Sequence, residues 1–224
     1  MSIPGQYTFR INAVYVKTVA DLAEIAADKA ASLAWSKGYN EFKENIRSHL
    51  KLQQTGRCAF CRCWVSVGTS FSNLEHIIGK TAYPQFEFLS ENLVYCCTRC
   101  NLSKSKKNTL SVPIADKAAQ LFPTVSEEFI IINPYYDDYE SHIDFLDHVI
   151  IATVEGSAKG SNTISFYNLT RTDLAEDRAR EFNLSHARLR DQLLARVTNP
   201  DTPVNALAQI NDIIAQLPNW VVQL

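Results

Sequence analysis

The sequence has no apolar run long enough to cross a bilayer, which excludes a helical membrane span as its organising feature. Its longest apolar stretches, Phe129 to Ile132 and His148 to Val154, are short and β-branched and read as strands. Nor is there an excess of positive charge. Twenty-two Lys and Arg stand against 24 Asp and Glu, for a formal net charge of −2, which argues against a protein that coats nucleic acid by charge alone. A local basic patch remains compatible with that balance. There is no internal repeat and no low-complexity linker. The opening MSIPGQYTFR lacks a charged segment leading into an apolar one, so a cytoplasmic, reducing environment is expected. In such a compartment, the six cysteines read as metal ligands or buried thiols rather than disulfides.

What is present is an ordinary globular composition, 46% hydrophobic and 21% charged over 224 residues. That suffices for one large domain or a small catalytic core with helical additions. Residues 18–52 read as helical, broken near Gly38. Strands are expected over 127–134, 149–154 and 163–167, the last two joined by a turn over 155–162. Helices return over 172–197 and, after Asn199-Pro200-Asp201, over 204–217. Between Cys58 and Leu110, cysteines, aromatics and basic residues crowd together, and the site is expected there.

Cys58-Ala-Phe-Cys61 and Cys97-Thr-Arg-Cys100 are two CxxC turns. Each can aim two thiolates at one ion, and together they can fill the corners of a tetrahedron around zinc. Two such pairs separated by a long insert are strong evidence for a metal. The alternatives are buried free thiols or a redox pair, although neither CxxC lies in an evident βαβ pattern. Cys63 and Cys96 read as structural, with substitution of either as a ligand left open.

Between the cysteine pairs stands Asn73-Leu-Glu75-His76-Ile-Ile-Gly79-Lys80, followed by Glu91-Asn92-Leu93 and by Asn101 beside the last cysteine. Phosphodiester hydrolysis needs a base for water, a divalent ion for the developing charge and groups that hold both. His76 can be the base. Glu75 and Asn101 offer hard oxygen ligands for Mg²⁺ or Mn²⁺. Strand neighbours point to opposite faces, so Glu75 and His76 can share a site only at a strand end or bulge. Lys80, Arg99, Lys104, Lys106 and Lys107 form a basic set suited to phosphate, with Arg57 and Arg62 extending it. His49, His142, His148 and His186 lack metal spacing and read as surface or packing residues. Asp137, Asp138 and Asp144 lack an EF-hand pattern and read as turn chemistry.

This order, CxxC, Glu-His, Asn-Leu, then CxxCNxxK, resembles the zinc-ribbon-containing branch of the HNH endonucleases over residues 57–107. The resemblance implies a ββα-metal core: a β-hairpin and a helix around one catalytic divalent ion, with a structural zinc on Cys58, Cys61, Cys97 and Cys100. It casts His76 as general base, Glu75 and Asn101 as metal ligands, Asn92 as the residue that positions the His and its loop, and Lys104 as the basic residue after the second CxxC. Glu75 stands where Asp is more usual, Asn101 where His is frequent, and Gly79 where Pro is frequent. A looser likeness, through Arg47-Ser-His-Leu50, Asn133-Pro-Tyr-Tyr-Asp-Asp138 and Phe166-Tyr-Asn-Leu-Thr-Arg171, extends to HNH proteins of bacterial anti-phage defence such as the Septu-type nuclease subunit. That likeness implies DNA as substrate and an ATPase subunit as partner, with no membrane.

The expected class is α+β, with an N-terminal helical segment (1–53), the HNH core (54–112) and a C-terminal α+β extension packed on it (113–224). Two other readings compete with the nuclease. One is a zinc-ribbon module that binds nucleic acid without cutting it, which would have no need of Glu75, His76 and Asn101. The other is a scaffold whose amphipathic, Arg-rich 169–197 segment binds a partner.

Overall fold

The computed structural model describes residues 9–65, 72–115, 121–182 and 186–216. It is a mixed helix and small-sheet protein with two compact units. One comprises residues 10–137; the other takes residue 138 onward together with Phe9.

In the first unit, helix α1 (Val19–Ala30) opens on a capping box. Thr18 accepts from the Asp21 N–H, and the Asp21 carboxylate accepts from the Thr18 N–H. Asp21 is buried and also accepts from Tyr15 Oη at 2.6 Å and Asn45 Nδ2 at 2.9 Å, which anchors α1 to helix α2 (Asn40–Gln53). Phe42, Ile46 and Leu50 recur every four residues along α2 and form its buried stripe. The break between the helices covers more than Gly38: residues 31–39 form a loop that begins at the Ala31 C-cap.

Strands β1 (Ser72–His76) and β2 (Leu93–Cys97) pair antiparallel, with Glu75 opposite Val94 and His76 opposite Leu93. Every residue of β2 is buried, because α2 covers it on one side and helix α3 (Thr98–Lys104) follows directly from its end. Gln54, fully buried at the end of α2, acts as an extra strand. Its side-chain oxygen accepts from the Tyr95 N–H at 2.8 Å, while its amide nitrogen donates to the carbonyls of Tyr95 (2.7 Å) and Arg57 (2.9 Å).

The expected strand over 127–134 is not formed. Residues 126–128 make a turn of 3₁₀ helix, and Phe129 forms only an isolated bridge with Leu110.

The second unit contains the hairpin β3 (Ile143–Leu146) and β4 (Ile150–Thr153), then helices α4 (Ala158–Tyr167), α5 (Thr172–Glu181), α6 (His186–Val197) and α7 (Val204–Gln216). Its core joins Val149, Ile150 and Ala152 to Ala175, Ala179, Leu189, Leu193, Ile210 and Ile213. The expected strand over 163–167 is instead the second half of α4. Ser157 caps that helix by accepting from the Gly160 N–H at 3.0 Å, and Gly160, Thr163 and Tyr167 are buried at helical spacing. The side chain of His186 and the end of the last expected helix, Leu217, lie outside the described residues. Among the described residues, no helix is long and apolar enough to cross a membrane.

Candidate functional site

The loop before β1 carries the first cysteine pair. It turns through left-handed backbone at Thr55, Gly56 and Arg62, and a Cβ on Gly56 would meet the Trp64 ring at 2.9 Å. The Cys58 N–H donates to the Cys63 carbonyl, the Ala59 N–H donates to the Tyr95 carbonyl, and Arg57 Nη1 reaches the Arg62 carbonyl. These bonds hold residues 58–63 against β2. The second pair comes from the β2–α3 junction, where Cys97 is the N-cap of α3 and its sulfur accepts from the Cys100 N–H at 3.4 Å.

The four sulfurs of Cys58, Cys61, Cys97 and Cys100 all lie within 4.8 Å of one another and are buried. A tetrahedral zinc with Zn–S bonds of ~2.3 Å has sulfur–sulfur edges of ~3.8 Å; Cys61 and Cys97 are 3.8 Å apart. The group can therefore bind a metal such as zinc. Burial pushes the Cys58 thiol up, but hydrogen bonds from Cys100, Cys61, Cys96 and Cys97 outweigh it and hold the group well below its usual value, while Cys61 and Cys100 are pushed up. Protons shared unevenly among crowded thiols are what a cation would replace. Cys96 turns its thiol to the Cys97 carbonyl (3.3 Å) and Cys63 its thiol to the Cys61 carbonyl (3.8 Å), and neither belongs to the group of four.

From this cluster α3 leads to a cavity of about 310 Å³ lined by Glu75, His76, Gly79, Lys80, Thr81, Ala82, Lys104, Ser105 and Lys106. Glu75 and His76 both reach it because β1 ends at His76. His76, 4% exposed, has its Nε2 2.9 Å from the Glu87 carbonyl. A carbonyl only accepts, so Nε2 carries the proton and the lone pair of the neutral ring is on Nδ1. The Trp35 ring meets the imidazole edge-on at 4.7 Å and is itself stacked on Tyr39. Burial, with Lys80 and Lys104 nearby, pushes the His76 pKa down to about 3, so the ring is uncharged near neutrality.

Asn92 is buried and holds the loop that follows His76. Its Oδ1 accepts from the Ile78 N–H at 2.7 Å, and its Nδ2 donates to the carbonyls of Ile78 and Phe86, both at 3.0 Å.

Lys104 is 1% exposed, and its Nζ lies 2.7 Å from Glu75 Oε1. Burial raises the Glu75 pKa, and the Lys104 ammonium opposes that rise. Within the basic set read as suited to phosphate, Lys104 is thus an internal ion-pair partner. Lys80 and Lys106 also line the cavity; Arg99, Lys107 and Asn101 do not. Asn101 is half-buried on the same side of α3, three residues before Lys104. Sequence reasoning missed Trp35, which arrives from the loop over 31–39, and the Glu87 carbonyl. The first carries no local motif, and the second is a backbone atom invisible in residue types.

No family model matches the chain. It is 34% identical to the Septu protein PtuB of Bacillus mycoides (strain KBAB4) over 151 residues, 61% of this chain and 50% of that protein. It is 24% identical to the Septu protein PtuB of Bacillus thuringiensis over 139 residues, 62% of this chain and 44% of that protein. The chain spans about half the length of the curated relatives it matches.

Proposed function

We propose that this chain is a metal-dependent HNH endonuclease that hydrolyses DNA, the effector of an anti-phage defence system of the Septu type working beside an ATPase subunit. The observation that carries the nuclease reading is the pairing of a tautomer-locked imidazole and a buried carboxylate at one strand end, opening into one cavity. The similarity to two Septu proteins supports the defence role.

Glu75 and the amide oxygen of Asn101 would be the oxygen donors to a hard divalent cation, in competition with Lys104, which already pairs with Glu75 at 2.7 Å. Mg²⁺ or Mn²⁺ held there would supply charge stabilisation to the phosphate and leaving oxygen. His76 Nδ1 accepts the proton of the attacking water, while the Glu87 carbonyl holds the ring by Nε2. Asn92 fixes the loop behind it. Lys80 and Lys106 offer charge to the phosphodiester. Cys58, Cys61, Cys97 and Cys100 would hold a zinc that would pin the start of α3 and so the position of Lys104 at its end.

The three lysines that line the cavity also suit the second reading, a zinc-stabilised module that binds nucleic acid without cutting it. Zinc-loaded protein incubated with supercoiled plasmid, with and without Mg²⁺ or Mn²⁺, separates the two. The nuclease reading expects metal-dependent nicking that falls on the order of 10²–10⁴-fold in His76→Ala, with zinc content and circular dichroism unchanged. Undiminished nicking by His76→Ala would remove the residue from its role. Plasmid binding without nicking by the wild-type chain would favour the binding module.

A further inference from the structure

Asn133-Pro-Tyr135-Tyr-Asp137 lies outside the cavity lining, yet its side chains are bonded in series toward the strand that pairs with His76. Asn133 and Asp137 are both buried. The Asp137 carboxylate accepts from the Asn133 N–H at 2.7 Å and from the Ser126 hydroxyl. The Asn133 side-chain oxygen accepts in turn from the Tyr135 N–H at 3.0 Å, closing an Asx turn that sets where Tyr135 points. Tyr135 is 6% exposed, and its hydroxyl reaches two backbone carbonyls, Leu93 at 2.8 Å and Ser90 at 2.9 Å. Burial, with Glu91 nearby, pushes the phenol pKa up, so the oxygen keeps its proton and donates at neutral pH. A carbonyl only accepts, so that one proton serves both. The two carbonyls bracket Asn92. Leu93 pairs with His76 across the hairpin, and the Asn92 carbonyl accepts from the Ile77 N–H at 2.8 Å. One hydroxyl therefore ties down both the strand residue opposite His76 and the turn that carries Asn92.

We infer that Tyr135 is a positioning residue for His76: its hydroxyl holds residues 90–93, and through them the imidazole, from outside the cavity. The inference rests on the nuclease reading, in which a displaced base costs rate rather than binding. Misplacing a reacting group by ~1 Å can cost on the order of 10²-fold. The Glu87 carbonyl and the Trp35 ring still hold the imidazole when the Tyr135 hydroxyl is gone. Its loss should therefore displace His76 by less than that and slow cleavage about tenfold.

Tyr135→Phe removes one oxygen and keeps the ring. On the zinc-loaded full chain, well below its Tm, plasmid nicking with Mg²⁺ or Mn²⁺ gives kcat and KM. The His76 ring resonances in nuclear magnetic resonance, assigned by their loss in His76→Ala, report the imidazole directly. Asp21→Asn, which loosens the cap of α1 in the same unit, is the control for general loosening. The expected result for Tyr135→Phe is a kcat lower by about tenfold, with the His76 resonances displaced and zinc content unchanged. KM should stay at its wild-type value, because the hydroxyl does not line the cavity. The control should keep wild-type kcat and resonances. Wild-type kcat in Tyr135→Phe, or an equal loss in Asp21→Asn, would overturn the inference and leave the nuclease reading standing. A wild type that does not nick would sink the nuclease reading, and the resonances would then decide. Unmoved in Tyr135→Phe, they overturn the positioning of His76 as well; displaced there and not in the control, they uphold it.

Discussion

Replacing Asn92 separates a residue that merely fills space from one that bonds the loop behind His76. Asn92→Ala removes one acceptor and two donors at once. It leaves the Ile78 N–H and the carbonyls of Ile78 and Phe86 without their partner in a fully buried setting. At about 1 kcal/mol net for each bond, the cost is roughly 3 kcal/mol, rising where the orphaned groups stay dry. For a chain of this length that corresponds to a fall in Tm of roughly 6–12 °C. Asn92→Asp is the sharper variant. It keeps the oxygen that accepts from Ile78 but turns a second oxygen, charged at neutral pH, toward two carbonyl oxygens. It should therefore be at least as destabilised as the alanine variant at neutral pH and should recover part of the loss on acidification, when the carboxyl can donate again. Urea unfolding followed by near-ultraviolet circular dichroism at two pH values measures this. Wild-type stability in Asn92→Asp at neutral pH would show that the three bonds do not hold the loop.

Cys97→Ser should lose zinc and the fold of the first unit together, whereas Cys96→Ser and Cys63→Ser should keep one zinc per chain, all read by elemental analysis beside thermal unfolding. Burial pushes the Asp21 carboxyl up, but its bonds from Tyr15, Asn45 and Thr18 bring it below its ordinary value of 3.8. A depressed folded pKa gives stability that is present above the unfolded value and lost as the pH falls through the folded one. The wild type should thus lose stability below about pH 4, and Asp21→Asn, weaker at neutral pH, should show a shallower acid limb in urea titrations. In the second unit, a Cβ on Gly160 would stand 2.0 Å from the His142 carbonyl. Gly160→Ala should therefore cost about 1–3 kcal/mol or more in thermal unfolding, with zinc content unchanged.

Local signals were legible and long-range ones were not. The cysteine group could be found because two-residue spacing is itself a geometric constraint, and its four members stand together as that spacing expects. Cys63 and Cys96 fall outside it, a choice that sequence left open. The strand end that lets Glu75 and His76 share a cavity followed from the period of a strand. By contrast, Thr163 to Tyr167 looked like a strand through its β-branched and aromatic content. Ser157 as a cap, together with the burial of Gly160, Thr163 and Tyr167, made it helix. Lys104 read as one of a basic set suited to phosphate, because nothing in the chain between Glu75 and Lys104 announces that their side chains meet. Trp35 was invisible for the same reason, since its contact with His76 spans two elements.

Helix α3 is seven residues long, about 10 Å from end to end. A helix that short does not persist in water by itself. It takes its shape from what grips it: sulfur at its start, where Cys97 and Cys100 stand, and an ion pair at its finish, where Lys104 meets Glu75. It behaves as a short beam clamped at both ends. The span between the clamps carries neither grip. Leu102, 72% exposed, stands between them, and a polar replacement there should leave both the cysteine group and the ion pair in place.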